Sequence, residues 1–171
     1  MEAHTDVLII GGGFAGVSVA QALVKKGIKA ALVDQKDYFE VTFANLRNLA
    51  APQVTRDKSR KKYTDFISGK FIQNRIVELS ENKARFEDNT EIVFKRVVIA
   101  SGSRYPSMSV AKSNLAMGIQ ERNAEFNEFH RQLNDAYNIL IVGGGIVGVE
   151  LAGEIAYSFP DKKVTQSLIQ L

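Results

Sequence analysis

Short apolar runs, each closed by glycines or by a polar break, set the rhythm of this chain. Residues 7–10 (VLII) are apolar throughout, which predicts a strand buried on both faces of a parallel sheet. Residues 14–24 are an apolar segment long enough for a helix, closed by Lys25, Lys26 and Gly27. Residues 30–33 predict a second buried strand, with Asp34 at its end. Phe39, Phe43, Leu46 and Ala50 then recur at near-helical spacing until Pro52 stops the pattern. Between 70 and 100 the texture changes to β-like runs at 71–79, 84–86, 91–94 and 96–100. The turn-rich SENK and EDNT separate them, and a hairpin is expected around residues 87–90. These runs predict a small antiparallel meander that returns into the parallel sheet through residues 97–100. That last strand breaks at Ser101, Gly102, Ser103 and then Pro106; ligand crevices of open α/β sheets lie at such carboxyl ends. Residues 119–137 predict a polar helix with an apolar seam of Phe126, Phe129 and Leu133. An apolar strand at 138–142 and a helix at 146–158 follow.

The first turn carries the most specific chemistry. Gly11, Gly13 and Gly16 stand at the G-x-G-x-x-G spacing between strand and helix. The first permits the sharp turn, the second lets a pyrophosphate approach the backbone, and the third lets helix pack on strand. Free N–H groups of the helix's first turn, reinforced by its dipole, attract phosphate. Asp34 is placed to bind ribose hydroxyls. Gly143, Gly145 and Gly148 repeat the spacing, offset by 132 positions (Gly11 to Gly143), with Glu150 expected in the first turn of the helix that follows. Two dinucleotide sites, or one site and one structural copy, both satisfy this repeat.

Composition narrows the alternatives. The 171 residues hold 45% hydrophobic and 24% charged positions with a net charge of +3, ordinary for a globular protein. Cysteine is absent, which removes disulfides, thiolate metal sites and CxxC redox pairs. His4 and His130 offer a metal site little to build on, and His130 is expected at the surface. Residues 56–62 (RDKSRKK) form the one basic run; lacking aromatics, it is no nucleic-acid platform, so no nucleic-acid partner is expected. A solvated loop is its expectation, an anionic membrane surface its alternative contact. Arg47 is either a solvated helix residue or a cation reaching a bound phosphate. No apolar run is long enough to span a bilayer, and the first residues form neither a signal nor a transit peptide. Glu2 stands where N-myristoylation requires glycine. A soluble cytoplasmic protein, with peripheral membrane contact as the alternative, is the expectation.

DVLIIGGGFAG, VVIASGSRYP and ILIVGGGIVGVELAGEI, in that order, resemble the flavin-dependent pyridine-nucleotide oxidoreductases. The segment DQKDYFEVTFANLR and the missing cysteines are similar to the apoptosis-inducing-factor-2-like and ferroptosis-suppressor-like group rather than to disulfide reductases. The resemblance covers the chain to about Thr165. It implies an α/β fold: a Rossmann-like FAD-binding domain over 1–112 with an antiparallel meander, then the start of an inserted NAD(P)H-binding Rossmann domain over 113–171. It implies FAD and NAD(P)H as cofactors and a quinone-like electron acceptor. For FAD it implies Gly11, Gly12, Gly13, Phe14 and Ala15 at the pyrophosphate, with Gly16 completing the fingerprint. Asp34 falls to the ribose, Arg47 to a further flavin contact, and Ile76 (or Val77) to a backbone contact with adenine. Gly102 belongs to the second FAD motif, and Gly143, Gly145, Gly148 and Glu150 to NAD(P)H. No acid, base or nucleophile is implied, and no acid follows the 163–165 segment to hold a ribose. Members of the family extend well beyond this length, so the chain is expected to be a truncated form with unpaired sheet edges and poor turnover. Its alternatives are a non-catalytic nucleotide-binding fragment or an interaction module pairing with full-length relatives.

Overall fold

The computed structural model describes residues 3–105 and 111–168, and nothing of the side chains of Arg56 and Asp57. Glu2, Pro106 and residues 169–171 therefore lie outside the described residues. The chain divides into two compact units: Met1–Glu40, Lys61–Arg104 and Met117–Ile119 make the first, and Val41–Arg60, Tyr105–Ala116 and Gln120–Leu171 the second.

The first unit is built on a six-stranded sheet. Its strands are Ala3–Ile10 (β1), Ala30–Asp34 (β2), Lys70–Gln73 (β5), Ile76–Leu79 (β6), Lys83–Phe86 (β7) and Glu91–Ile99 (β8), in the order β5-β2-β1-β8-β7-β6. The short Tyr38–Glu40 (β3) and Arg60–Lys62 (β4) pair separately. β5, β2, β1 and β8 run parallel; β6, β7 and β8 are antiparallel, so the meander re-enters the parallel sheet as expected. Leu8 and Ile9 are both fully buried, on opposite faces, as an unalternating apolar strand requires. One face packs Leu8, Ala31 and Val33 against Ala84, Phe86, Ile92 and Phe94; the other packs Ile9, Ala30 and Leu32 against Val17 and Ala20 of the helix Phe14–Lys25 (α1) and against Tyr63.

Two expectations are corrected here. Residues 71–79 are not one strand but β5 and β6, at opposite ends of the strand order. Only Asn74 and Arg75 join them, so the sheet curls back on itself, which is why Ala84 and Phe86 pack on Ala31 and Val33. The break is made by Asn74: its N–H donates to the Asp34 carbonyl at 2.9 Å and its side chain accepts from the Arg75 N–H at 2.7 Å. Residues 91–99, conversely, form one strand, which pairs with β7 through its first residues and with β1 along most of its length.

The second unit contains Asn45–Ala50 (α2), Pro52–Ser59 (α3), Ile119–Asp135 (α4), Asn138–Val142 (β9), Ile146–Ser158 (α5) and Lys163–Ser167 (β10). Its core joins Leu46, Leu49, Phe126, Leu133, Ile141, Leu151 and Ile155, with Phe129 packed at the margin. The expected helix across 39–50 is instead β3, a 3-10 turn at Thr42–Ala44 and α2. Pro52 opens α3 as well as ending the earlier pattern, since a first-turn residue needs no N–H partner. Residues 56–62 are not a loop: they finish α3 and form β4, and Arg60 is buried with its guanidinium over the Phe126 ring at 4.5 Å. Residues 163–167, polar as they are, pair parallel with β9 from Lys163↔Asn138 to Ser167↔Val142. His130 is half-buried, its Nδ1 2.9 Å from the Leu49 carbonyl oxygen. Among the described residues no helix is long and apolar enough to cross a membrane.

Candidate nucleotide-binding sites

The first loop follows directly from β1. Gly11 donates its N–H to the Val33 carbonyl at 2.8 Å and adopts φ 102°, a left-handed conformation that favours glycine. A Cβ on Gly11 would also collide with the Ala100 carbonyl, because Ala100 donates its own N–H to the Ile10 carbonyl at 2.8 Å. Gly12 is clamped from two sides. Its N–H donates to Asp34 Oδ2 at 2.6 Å, and its carbonyl accepts the Tyr63 hydroxyl at 2.7 Å. Gly13 caps α1 in extended conformation and accepts the Val17 N–H at 3.0 Å. Among the described residues a Cβ on Gly13 would meet nothing within 4 Å, so against these residues the backbone faces open space at the start of the helix. Gly16 is packed so closely that a Cβ would strike the Gly11 carbonyl.

These contacts leave the first turn of α1 exposed at Gly13, Phe14 and Ala15, with no acidic side chain in it to compete for an anion. Phe14 stacks edge-on against Phe39 at 5.0 Å between centroids. Asp34 stands beside the loop: Oδ2 takes Gly12 and Oδ1 takes the Lys36 N–H at 2.8 Å. A carboxylate has about four acceptor sites, so two remain for further donors. Burial, with Asp34 as the next contributor, pushes the Tyr63 phenol well above its ordinary value, which keeps it a donor to Gly12.

The other expected flavin residues are placed as follows. Gly102 has φ 71° and is exposed, and the backbone of Ser101 just before it lies against Gly11. Ile76 begins β6, half-buried, two positions after the Asn74 amide that binds Asp34; Val77 next to it is exposed. Arg47 belongs to the second unit, where its Nε and Nη2 donate to Glu154 Oε1 at 2.9 and 2.7 Å. That hydrogen bond raises the Arg47 guanidinium above its usual basicity. Tyr63 is a residue that sequence reasoning missed, since nothing in KKYTDF signals a contact with the loop.

The second loop repeats the backbone hydrogen bonds of the first. Gly143 (φ 118°) donates to the Ser167 carbonyl at 2.8 Å, and Gly145 caps α5 and accepts the Val149 N–H at 3.0 Å. Among the described residues a Cβ on Gly145 meets nothing within 4 Å, and one on Gly148 would strike the Gly143 carbonyl. Gln166 Nε2 secures that carbonyl at 2.8 Å. Glu150 is exposed and sits in the second turn of α5, one position too late for the first turn expected of it. The residue that lies over the middle glycine differs. At Gly12 it is Tyr63; at Gly144 it is a methyl of Leu168.

Comparison with known proteins matches residues 5–166 to the pyridine nucleotide-disulphide oxidoreductase family. Ferroptosis suppressor protein 1 of Xenopus tropicalis is 34% identical over 167 residues, covering 96% of this chain and 44% of the relative. Apoptosis-inducing factor homolog B of Dictyostelium discoideum is 36% identical over 158 residues, covering 91% of this chain and 40% of the relative. The chain thus spans less than half the length of these curated relatives. Among solved structures, NADH:rubredoxin oxidoreductase from Clostridium acetobutylicum superposes with a TM-score of 0.72 at 21% identity, over 97% of this chain and 45% of that one. That likeness shows the same fold.

Proposed function

Because the chain belongs to the pyridine nucleotide-disulphide oxidoreductase family, we propose that its first loop holds FAD and its second NAD(P)H, in an oxidoreductase that passes electrons to a quinone-like acceptor. The observation that carries the flavin assignment is the open space beside Gly13, at an exposed helix N-terminus, with the Asp34 carboxylate at its edge. FAD, when bound, would supply the redox chemistry. This chain's residues bind and orient. Amides of Gly13, Phe14 and Ala15 meet the pyrophosphate, and the free lone pairs of Asp34 take ribose hydroxyls. Ile76 offers its backbone to adenine, and Arg47 and Gly102 complete the flavin contacts on the strength of the family resemblance. Gly143, Gly145, Gly148 and Glu150 serve NAD(P)H. On this reading residues 1–112 are the FAD segment and 113–171 the beginning of the NAD(P)H segment. The quinone-like acceptor and a peripheral membrane location rest on the likeness to the ferroptosis suppressor group.

A second reading is favoured by one feature. Leu140 and Val142 of β9 are 63% and 61% exposed, on a strand whose apolar composition suits burial on both faces. On that reading the chain is a non-catalytic nucleotide-binding module that pairs with a full-length relative through this face. Reconstituting the purified chain with FAD separates the two. The enzyme reading expects a retained visible flavin band that bleaches with NADH or NADPH; retained flavin without bleaching supports the module. Failure to take up flavin at all would overturn the FAD assignment.

A further inference from the structure

The basic run at 56–62 is not the free cationic surface that its sequence suggests. Arg60 is buried, Lys61 lies against the Phe66 ring at 5.9 Å, and Lys62 faces Asp37 at 3.6 Å. The first unit assembles another such surface from residues far apart in the chain. A groove of about 360 Å³ opens between the turn after α1 and the residues that lead into β5. His4, Ile28, Lys29, Ser68 and Lys70 line it, and among the described residues no acid does. Lys25 and Lys26 at the end of α1 extend the charge, and they, Lys29 and Lys70 are all exposed. The acids close by are already taken. Asp6, which feels the Lys29 charge, is held by Lys95 at 2.6 Å. Glu91, in a second hollow that Lys70 also lines, is 2.9 Å from Lys83.

We infer that this lysine-ringed turn docks the chain on an anionic lipid bilayer, with Ile28 as its apolar tip. The inference rests on the peripheral membrane location proposed for the chain and names the surface that makes the contact. Charge complementarity selects an anionic partner. The turn itself selects a charged plane over a coordinated phosphate. Lys26 and Ile28 donate their N–H groups to the Leu23 carbonyl, each at 3.0 Å, and Gly27 donates to Val24 at 2.9 Å. The amides that would cradle a phosphate are therefore spent on closing the helix. What faces outward is flexible side-chain charge around Ile28, 36% exposed, the composition of an interfacial anchor. The groove lies at the amino ends of β1, β2 and β5, whereas Gly11 follows the carboxyl end of β1. Roughly 20 Å of strand separates the two ends, so docking leaves the first glycine loop in water.

The test is co-sedimentation of the 171-residue chain with vesicles of phosphatidylcholine alone and of phosphatidylcholine and phosphatidylserine in equal parts. Binding is expected only to the anionic vesicles and should weaken as salt rises. A lysine near such a surface contributes about fivefold, so Lys29→Gln with Lys70→Gln should weaken binding about 25-fold. Lys58→Gln with Lys61→Gln removes the same charge from the 56–62 run and should cost less than about threefold. Ile28→Gln should cost about threefold at every salt concentration, because it removes apolar contact and no charge. These side chains are exposed, so each variant should keep the circular dichroism of the wild type. Equal losses in the two lysine pairs, no loss in Lys29→Gln with Lys70→Gln, or an unaffected Ile28→Gln would overturn the inference and leave the membrane location standing. Absence of wild-type binding to anionic vesicles would remove both. Displacement by inorganic phosphate beyond the effect of sodium chloride at equal ionic strength would overturn it in favour of a phosphate site. Tighter binding to poly-glutamate than to vesicles would overturn it in favour of an acidic protein.

Discussion

The two glycine loops of this chain share a backbone and differ in what surrounds it. Both have a first glycine in the left-handed region, an extended glycine capping the helix, and a sixth-position glycine pressed on the first carbonyl. Around the first, β8 brings Ala100 against Gly11, Asp34 binds the Gly12 amide, and Tyr63 binds the Gly12 carbonyl. Around the second, a Cβ on Gly143 would meet nothing within 4 Å among the described residues, and Leu168 lies over Gly144. The glycines specify that a phosphate can approach. The residues around them differ, and with them the contacts that hold each loop.

Blocking the shared feature should have the largest effect. Gly13→Val puts a branched side chain into the open space at the start of α1 and should abolish FAD binding, seen as loss of the flavin band after gel filtration. Gly145→Val should abolish NADH and NADPH binding and leave FAD in place. Unchanged flavin affinity in Gly13→Val would make the first fingerprint structural only.

Asp34→Leu tests the difference itself, because it gives the first loop the residue of the second. Loss of the hydrogen bonds to ribose should weaken FAD by about 1.5–3 kcal/mol, ten- to a hundredfold in Kd. The Gly12 and Lys36 amides lose their partner too, so the melting temperature of the apoprotein should also fall. Unaltered Kd would mean that both loops bind through phosphate alone.

Tyr63→Phe is a smaller change to the same loop. It removes one buried hydrogen bond while the ring keeps its packing against Phe71 at 4.6 Å and against the sheet. The expected cost is about 1–2 kcal/mol of stability, with a lesser loss of FAD affinity. Denaturant unfolding of the apoprotein measures the first, and flavin titration the second. A drop in FAD affinity equal to that of Asp34→Leu would show that Tyr63 touches the cofactor rather than supporting Gly12.

The parts of this comparison differ in how far the sequence announces them. Glycine spacing is local, and so β1, α1, β2, β9 and α5 are legible from the pattern of residues alone. Asp34 is legible because it ends an apolar run. Tyr63, Leu168 and the break at Asn74 are not, since each owes its place to strand register or to a partner far along the chain. The same holds for 41–60. Asn45 and Asn48 are fully buried, although polar residues at helical spacing read as solvated. What offsets their burial is the Ala111 carbonyl, 2.8 Å from Asn45 Nδ2, and the Ser59 hydroxyl, 2.9 Å from Asn48 Nδ2. Arg60 and Arg122 are hidden for a related reason, since the Phe126 ring receives both guanidinium groups within 4.5 Å. β10 has no apolar run to announce it; it forms because β9 offers backbone partners in register.

Arg47 gives the smallest expected effect and sharpens the comparison in a different way. Its family role lies with the first loop's cofactor, yet its side chain is paired with Glu154 on the helix of the second. The pair is partly exposed, 59% on the arginine side, so its attraction competes with water and salt. Arg47→Ala should therefore lower the unfolding midpoint only slightly at low ionic strength. The difference should shrink as salt rises toward ~1 M, where the screening length falls to about 3 Å, comparable to the 2.7 Å separation of the pair. Flavin affinity is the second measurement. If Arg47 meets a flavin phosphate, Arg47→Ala weakens FAD while Glu154→Gln, which releases the arginine from its partner, strengthens it. If the arginine serves only its partner on α5, both variants leave FAD affinity where it was, and the flavin contact assigned to Arg47 is wrong.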